Sequence, residues 1–202
     1  GMFVTALLLE RRFDDPSTRQ LTRALKLIGG ALLALLIWVQ IDGIVERFAP
    51  DSGGDLLRAG GAASAWAALA LALLHQHRRR PSKDEALRTG AYGFTALAVL
   101  ALLIGGFVLA NPLVHSIEVG HLWLFNRLLI GYALPAALLT LIAERMRHEP
   151  APNGPAVAQG LVLLAVGTAF FWVAAAVRQI FHGTIIAAGP TSGDDRAVED
   201  LP

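Results

Sequence analysis

Residues 91–110 read AYGFTALAVLALLIGGFVLA, a run without a single charged side chain. A helix of this length measures about 30 Å at about 1.5 Å per residue, which matches the hydrocarbon core of a bilayer. Irregular backbone in lipid would leave peptide groups unpaired, and a barrel strand would alternate polar and apolar residues over a much shorter segment. The run therefore predicts a membrane-spanning helix. Working outward from it, four further stretches are long and apolar enough to cross: 27–45, 56–74, 124–143 and 157–177, each bounded by charge, Pro or Gly. The expected fold is all-α, a polytopic transmembrane helical bundle of about five spans over residues 27–183. Residues 1–26 precede it as a cytoplasmic segment, and 184–202 form an acidic tail rich in Gly and Pro that reads as disordered.

The composition agrees. Of 202 residues 54% are apolar, 16% are charged and 20 are glycine, too apolar a mixture for an ordinary soluble domain. A net charge of +1 argues for neither a nucleic-acid partner nor an acidic substrate. Cysteine is absent, which excludes disulfides and thiolate metal sites. At the start of the chain, residues 3–9 are apolar but cover only about two helical turns before Glu10, Arg11 and Arg12. The basic residues follow this segment, where a signal peptide would carry them in front. It reads as the tail of a preceding helix, and Gly1 ahead of Met2 reads as an expression scar or an internal start, so a longer parent protein is expected.

Lys and Arg divide unevenly between the two sides of such a bundle. Arg11, Arg12, Arg19, Arg23, Lys26, Arg78, Arg79, Arg80, Lys83, Arg88, Arg145 and Arg147 fall on one side, and Arg47, Arg58, Arg127, Arg178 and Arg196 on the other. The positive-inside rule places the first group, and with it the N-terminus, in the cytoplasm. Five spans then bring the C-terminus out on the periplasmic side.

Two features concern packing. Gly60, Ser64, Ala68 and Ala72 recur every four residues in the second span, and such a small-residue stripe predicts a close helix contact. Pro135 in the fourth span lacks an amide donor and crowds the carbonyl of Gly131, which predicts a kink. Trp38, Trp66 and Trp172 read as lipid or core packing, and Trp123 as an interfacial anchor.

Polar residues gather at the outer face. Asn111 to His121 carry His115, Ser116, Glu118 and His121, followed by Trp123, Asn126 and Arg127; Arg178, Gln179 and His182 close the last span. Arg178 and His182 share a helix face, and Gly183 is placed to end the helix. The sharp reading of His115, Glu118, His121, Asn126, Arg127, Arg178 and His182 is a periplasm-facing site, with Arg127 and Arg178 holding an anion while a histidine moves a proton with help from Glu118. The simpler reading is interfacial anchoring, arginines reaching headgroup phosphates and histidines in water. Metal binding by His115, Glu118 and His121 has little behind it, because spacings of three and three put the histidines on divergent helix faces and match no zinc signature. Asp42, with Gln40 and Glu46, lies near the outer end of the first span and reads as a helix-end residue within reach of the headgroups. The run His77-Arg78-Arg79-Arg80-Pro81-Ser82-Lys83 is explained by its topological role. No phosphate loop, nucleotide fingerprint, nucleophile elbow or metalloprotease helix is present, so no cofactor and no catalytic residue is assigned.

Three stretches in the last ninety or so residues carry a family resemblance. They are Asn111-Pro112-Leu113 with Val119-Gly120, then Phe125-Asn126-Arg127-Leu128-Leu129-Ile130-Gly131-Tyr132-Ala133-Leu134-Pro135-Ala136, and Phe171-Trp172-Val173 leading to Val177-Arg178-Gln179-Ile180-Phe181-His182-Gly183. Together they resemble the large bacterial predicted membrane proteins labelled domain of unknown function twenty-three thirty-nine. Residues 10–90 match that family only in style, and after Ser192 the sequence departs from its pattern. The resemblance implies a piece of a longer protein of the bacterial cytoplasmic membrane and implies no activity. The functions weighed are therefore a non-enzymatic integral module of a larger envelope protein, partnered by lipid and by further transmembrane helices; a transporter or lipid-linked carrier; and an envelope-modifying enzyme with its site on the periplasmic face.

Overall fold

Each apolar stretch of the sequence becomes one helix in the computed structural model, which describes residues 16–49, 53–79, 85–115, 127–148 and 153–182, the side chains of 16–23, 27 and 182 excepted. The helices are α1 (Pro16–Phe48), α2 (Gly54–Arg79), α3 (Glu85–Leu109), α4 (Leu129–Arg147) and α5 (Gly154–His182). All five are long and apolar enough to cross a membrane, and no strand occurs among the described residues. Helix α1 already runs at Pro16, inside the segment expected to precede the first span. The acidic tail at 184–202 and the apolar segment at 3–9 lie outside the described residues.

Helix α2 is the centre of the bundle, packed against α1, α3 and α4, while α5 packs on α4. Its sequence suits that position. In lipid there is no hydrophobic drive between helices, so close approach depends on small side chains. The buried face of α2 carries Ala59, Gly60, Ala63, Ser64, Ala67, Ala70 and Leu74. Only half of the expected stripe takes part, because Ala68 and Ala72 are exposed. The reason is geometric: a step of four residues advances about 40° beyond a full turn, so Ala72 points about 120° away from Gly60. A face that alternates steps of three and four stays in register, and that is the face α2 buries.

The peripheral helices turn aliphatic stripes outward. Leu163, Val166, Phe170, Val173, Val177 and Ile180 follow one another at three- and four-residue steps along α5, and all are exposed. The opposite face carries Ala158, Leu161, Ala165, Thr168, Ala175 and Gln179, all buried. On α1, Ile28, Leu32, Leu35, Leu36 and Val39 are exposed while Ala34 and Val45 face α2. Such a surface belongs in hydrocarbon.

Near one end of the bundle, here the Arg58 end, two helices widen. Residues Ala101–Leu109 of α3 and Leu129–Ala133 of α4 adopt π-helical turns, closed by amides that donate five residues back: Ala110 N–H to Gly105 at 2.8 Å, and Leu134 N–H to Leu129. The second widening answers Pro135. Proline cannot donate, and in a π turn the acceptor it fails to serve is Ile130, not Gly131. Where the sequence predicts a kink, the structure shows a wider turn.

Candidate functional site

The Arg58 end is where glycines bring the helix backbones into contact and where the polar residues singled out from sequence lie, so it is the part of the molecule where chemistry is sought first. Glycine makes the approach possible. A Cβ on Gly60 would fall on the Ile130 carbonyl oxygen and the Gly131 Cα, one on Gly131 would lie 2.7 Å from Leu56 Cδ1, and one on Gly105 would lie 2.7 Å from the Ala59 Cβ. The Ile130 carbonyl thus faces the bare Cα of Gly60, where only a weak C–H···O contact fits.

Behind this contact Tyr132 is fully buried, and its hydroxyl donates to the Gly106 carbonyl at 2.6 Å. The ring packs against Phe107 at 5.3 Å and Phe171 at 4.8 Å, and Phe107 and Phe171 meet edge-on at 5.0 Å. One aromatic cluster therefore joins α3, α4 and α5. Of the other buried hydroxyls, Thr95 bonds Ala91 O at 2.8 Å and Thr168 bonds Leu164 O at 2.8 Å within their own helices, whereas Ser64 Oγ has no hydrogen-bond partner. Trp66 donates to Ala34 O at 3.3 Å and stacks on Trp38, tying α2 to α1 as packing.

Asp42 has a specific partner. Arg58 Nε donates to its Oδ1 at 2.6 Å, and Arg58 also reaches Asp55 at 2.8 Å on its own helix. By sequence Asp42 is only a helix-end residue and Arg58 only an orienting charge; together they clamp α1 to α2 beside the tight connection where a Cβ on Gly54 would lie 2.6 Å from Ala49 O. Asp42 keeps 46% and Arg58 25% of its side-chain surface exposed, so a double-mutant cycle over Asp42→Ala and Arg58→Ala should return a coupling of about 1 kcal/mol or less.

Of the outer-face residues singled out from sequence, Glu118, His121 and Asn126 lie outside the described residues, as do Trp123 and the side chain of His182. His115 is exposed and ends a turn built on Asn111, whose Oδ1 accepts from Leu113 N–H at 3.0 Å and whose carbonyl accepts from the amides of Val114 and His115 at 3.1 and 2.9 Å. Asn111-Pro112 thus acts as a turn that stops α3. Arg127 is half-buried just before α4 and already engaged. Arg178 is half-buried on α5, its Nε inaccessible and without a hydrogen-bond partner; Gln179 beside it is 5% exposed and has one. No three His, Asp or Glu side chains come together as metal ligands among the described residues. The role of Tyr132 is not legible in the sequence. A tyrosine three positions before a span's proline was the available signal, but nothing local names Gly106 as its acceptor.

At the opposite end Arg78 donates to the carbonyl of Arg145 in the last turn of α4, where a cation complements the helix terminus. Arg88 pairs with Glu85 at 3.0 Å, and Arg147 lies 3.7 Å from Glu144.

A family model described as "Predicted membrane protein (DUF2339)" matches residues 1–193. The match takes in residues 10–90, which by their motifs resembled the family only in style. No curated protein and no solved structure matches the chain.

Proposed function

We infer that this chain, which belongs to the DUF2339 family of predicted membrane proteins, serves as a non-enzymatic helical module of a larger bacterial envelope protein. It would lie in the cytoplasmic membrane with its N-terminus in the cytoplasm and its C-terminus in the periplasm. The observation that carries this reading is the closed packing between helices, tightest at the Arg58 end. Gly60 meets Gly131 and Ile130 backbone to backbone, Ala59 meets Gly105, and the buried threonines bond their own helices. A carrier needs polar groups turned toward a mid-membrane path. Here the described ion pairs sit toward helix ends and the interior is filled with Ala, Gly and aromatic rings. The exposed stripes on α1 and α5 give lipid, or further helices, a surface to cover.

Deleting the gene should leave the lipid and glycan composition of the envelope unchanged, as mass-spectrometric profiling would show. Loss or accumulation of one glycolipid would overturn the scaffold reading in favour of an outer-face enzyme or a carrier. For orientation, an alkaline phosphatase fusion at Ser192 should be active and one at Lys83 inactive; the reverse pattern would invert the assignment.

A further inference from the structure

We propose that Arg178 belongs to an anion site at the Arg58 end, where its guanidinium and that of Arg127 hold a phosphate group between α4 and α5. Three observations lead there.

The first is direction. Phe171 lies 4.8 Å from Tyr132 and 5.0 Å from Phe107, so its face of α5 points into the bundle. Seven residues onward, a helix returns to within about 20° of the same direction, so Arg178 stands about 10 Å above the aromatic cluster on the inward face. It lies at the edge of that face, with Ala175 and Gln179 buried on one side and Ala174 and Phe181 exposed on the other.

The second is the unfulfilled donor. An arginine that merely reaches for headgroups lifts its polar head into the wet layer. In Arg178 the base of the guanidinium is held in the packing, its Nε having no accessible surface and no hydrogen bond, while its terminal nitrogens are not among the buried atoms and stay open to a ligand. Guanidinium does not shed its proton, so a buried N–H of this kind calls for an acceptor. The described carboxylates nearest this end are spoken for or turned away. Asp42 and Asp55 are both held by Arg58 on the far side of the bundle, and Glu46 is exposed on α1.

The third is the level of the second cation. Arg127 precedes Tyr132 by five residues, which puts it about 7 Å above the same aromatic cluster, within about one turn of the height of Arg178. The opening turn of α4 packs on α5, and Arg127, just before it, is half-buried and already engaged, so a phosphate would share its donors. Two guanidinium groups brought together at this level would fit a phosphate, whose oxygens accept the planar fork in pairs. The end of a span is also where headgroup phosphates lie. The group could arrive on an anionic lipid or as free phosphate. The inference goes beyond the scaffold reading and does not depend on it, because a structural module can hold a lipid without transforming it.

Native mass spectrometry of the purified full chain in neutral detergent tests this, with phosphatidic acid, phosphatidylcholine and inorganic phosphate as probes. The site predicts one saturable phosphatidic acid adduct that phosphatidylcholine does not match, weakened about tenfold or more in Arg178→Gln. Arg178→Lys should weaken it less, and Arg145→Gln, at the other end of the bundle, should leave it intact; unchanged melting temperatures would show that the variants are folded. Displacement of the adduct by inorganic phosphate would identify the phosphate group alone as the ligand, and resistance to it would identify the whole lipid, acyl chains included. Equal binding by Arg178→Gln and the wild type, or equal loss in Arg145→Gln, would overturn the proposal, as would the lack of any saturable adduct with both anionic probes.

Discussion

Replacing Gly60 by alanine is expected to destabilise the bundle by about 3 kcal/mol, and by more with valine. The new methyl would have to occupy the space of the Ile130 carbonyl oxygen and the Gly131 Cα. Those are backbone atoms, held by the π turn before Pro135, and no side chain can rotate away to make room. The helices must separate, and the Gly105–Ala59 contact lies at the same level of α2 and would loosen with them. Gly93 and Gly160 provide the contrast. Nothing lies within 4 Å of a Cβ at either position, so Gly→Ala there should be neutral or add up to about 1 kcal/mol through helix propensity. Reversible unfolding in mixed micelles would measure all three; a Gly60→Ala protein as stable as the Gly93→Ala protein would mean that α2 and α4 are not in backbone contact.

The second large effect belongs to Tyr132. Truncation to alanine should cost about 3 kcal/mol, since the fully buried ring contacts both Phe107 and Phe171 and leaves a cavity bounded by three helices. Tyr132→Phe isolates the hydroxyl. It removes only the 2.6 Å bond to Gly106 O and should cost about 1 kcal/mol, in the range of hydrogen bonds between transmembrane helices. Should Phe cost as much as Ala, the hydrogen bond and not the packing would be holding α4 to α3.

Which parts of this could be read from the chain follows from the range of each interaction. The spans were legible because they rest on two local quantities, length and the placement of charge. Residues 91–110 already meet the bilayer's thickness without knowledge of any neighbour. Proline at 135 likewise announced a distortion, because the missing amide belongs to the residue itself. Its form was hidden. Whether a helix answers proline by bending or by widening depends on what packs beside it, and here Gly60 takes the place next to the Ile130 carbonyl. The stripe on α2 was half legible for a related reason. Gly60 and Ser64 were found by a four-residue step that is right over one turn and wrong over three, whereas the face α2 buries follows the helix's own drift.

The polar residues were harder still. Asp42 and Arg58 lie sixteen positions apart in sequence, and their pairing depends on how tightly α1 and α2 are joined around Ala49 and Gly54. Tyr132 and Gly106 are farther apart, and glycine offers no side-chain signal that its carbonyl will be used. Arg178 was picked out for its place at a helix end. What distinguishes it from an ordinary anchoring arginine is the burial of its Nε, which only the packing of α5 reveals.

Everything above depends on five helices lying across the bilayer, and the sequence supplies a clean way to test it, because it contains no cysteine. Single cysteines introduced at Ser52, Ser82, Ser116 and Asn153 sample the four connections in chain order. Treated in intact cells with a membrane-impermeant thiol reagent, Ser52→Cys and Ser116→Cys should react together, while Ser82→Cys and Asn153→Cys should react only after the membrane is opened. Labelling of all four from one side would contradict a five-span bundle.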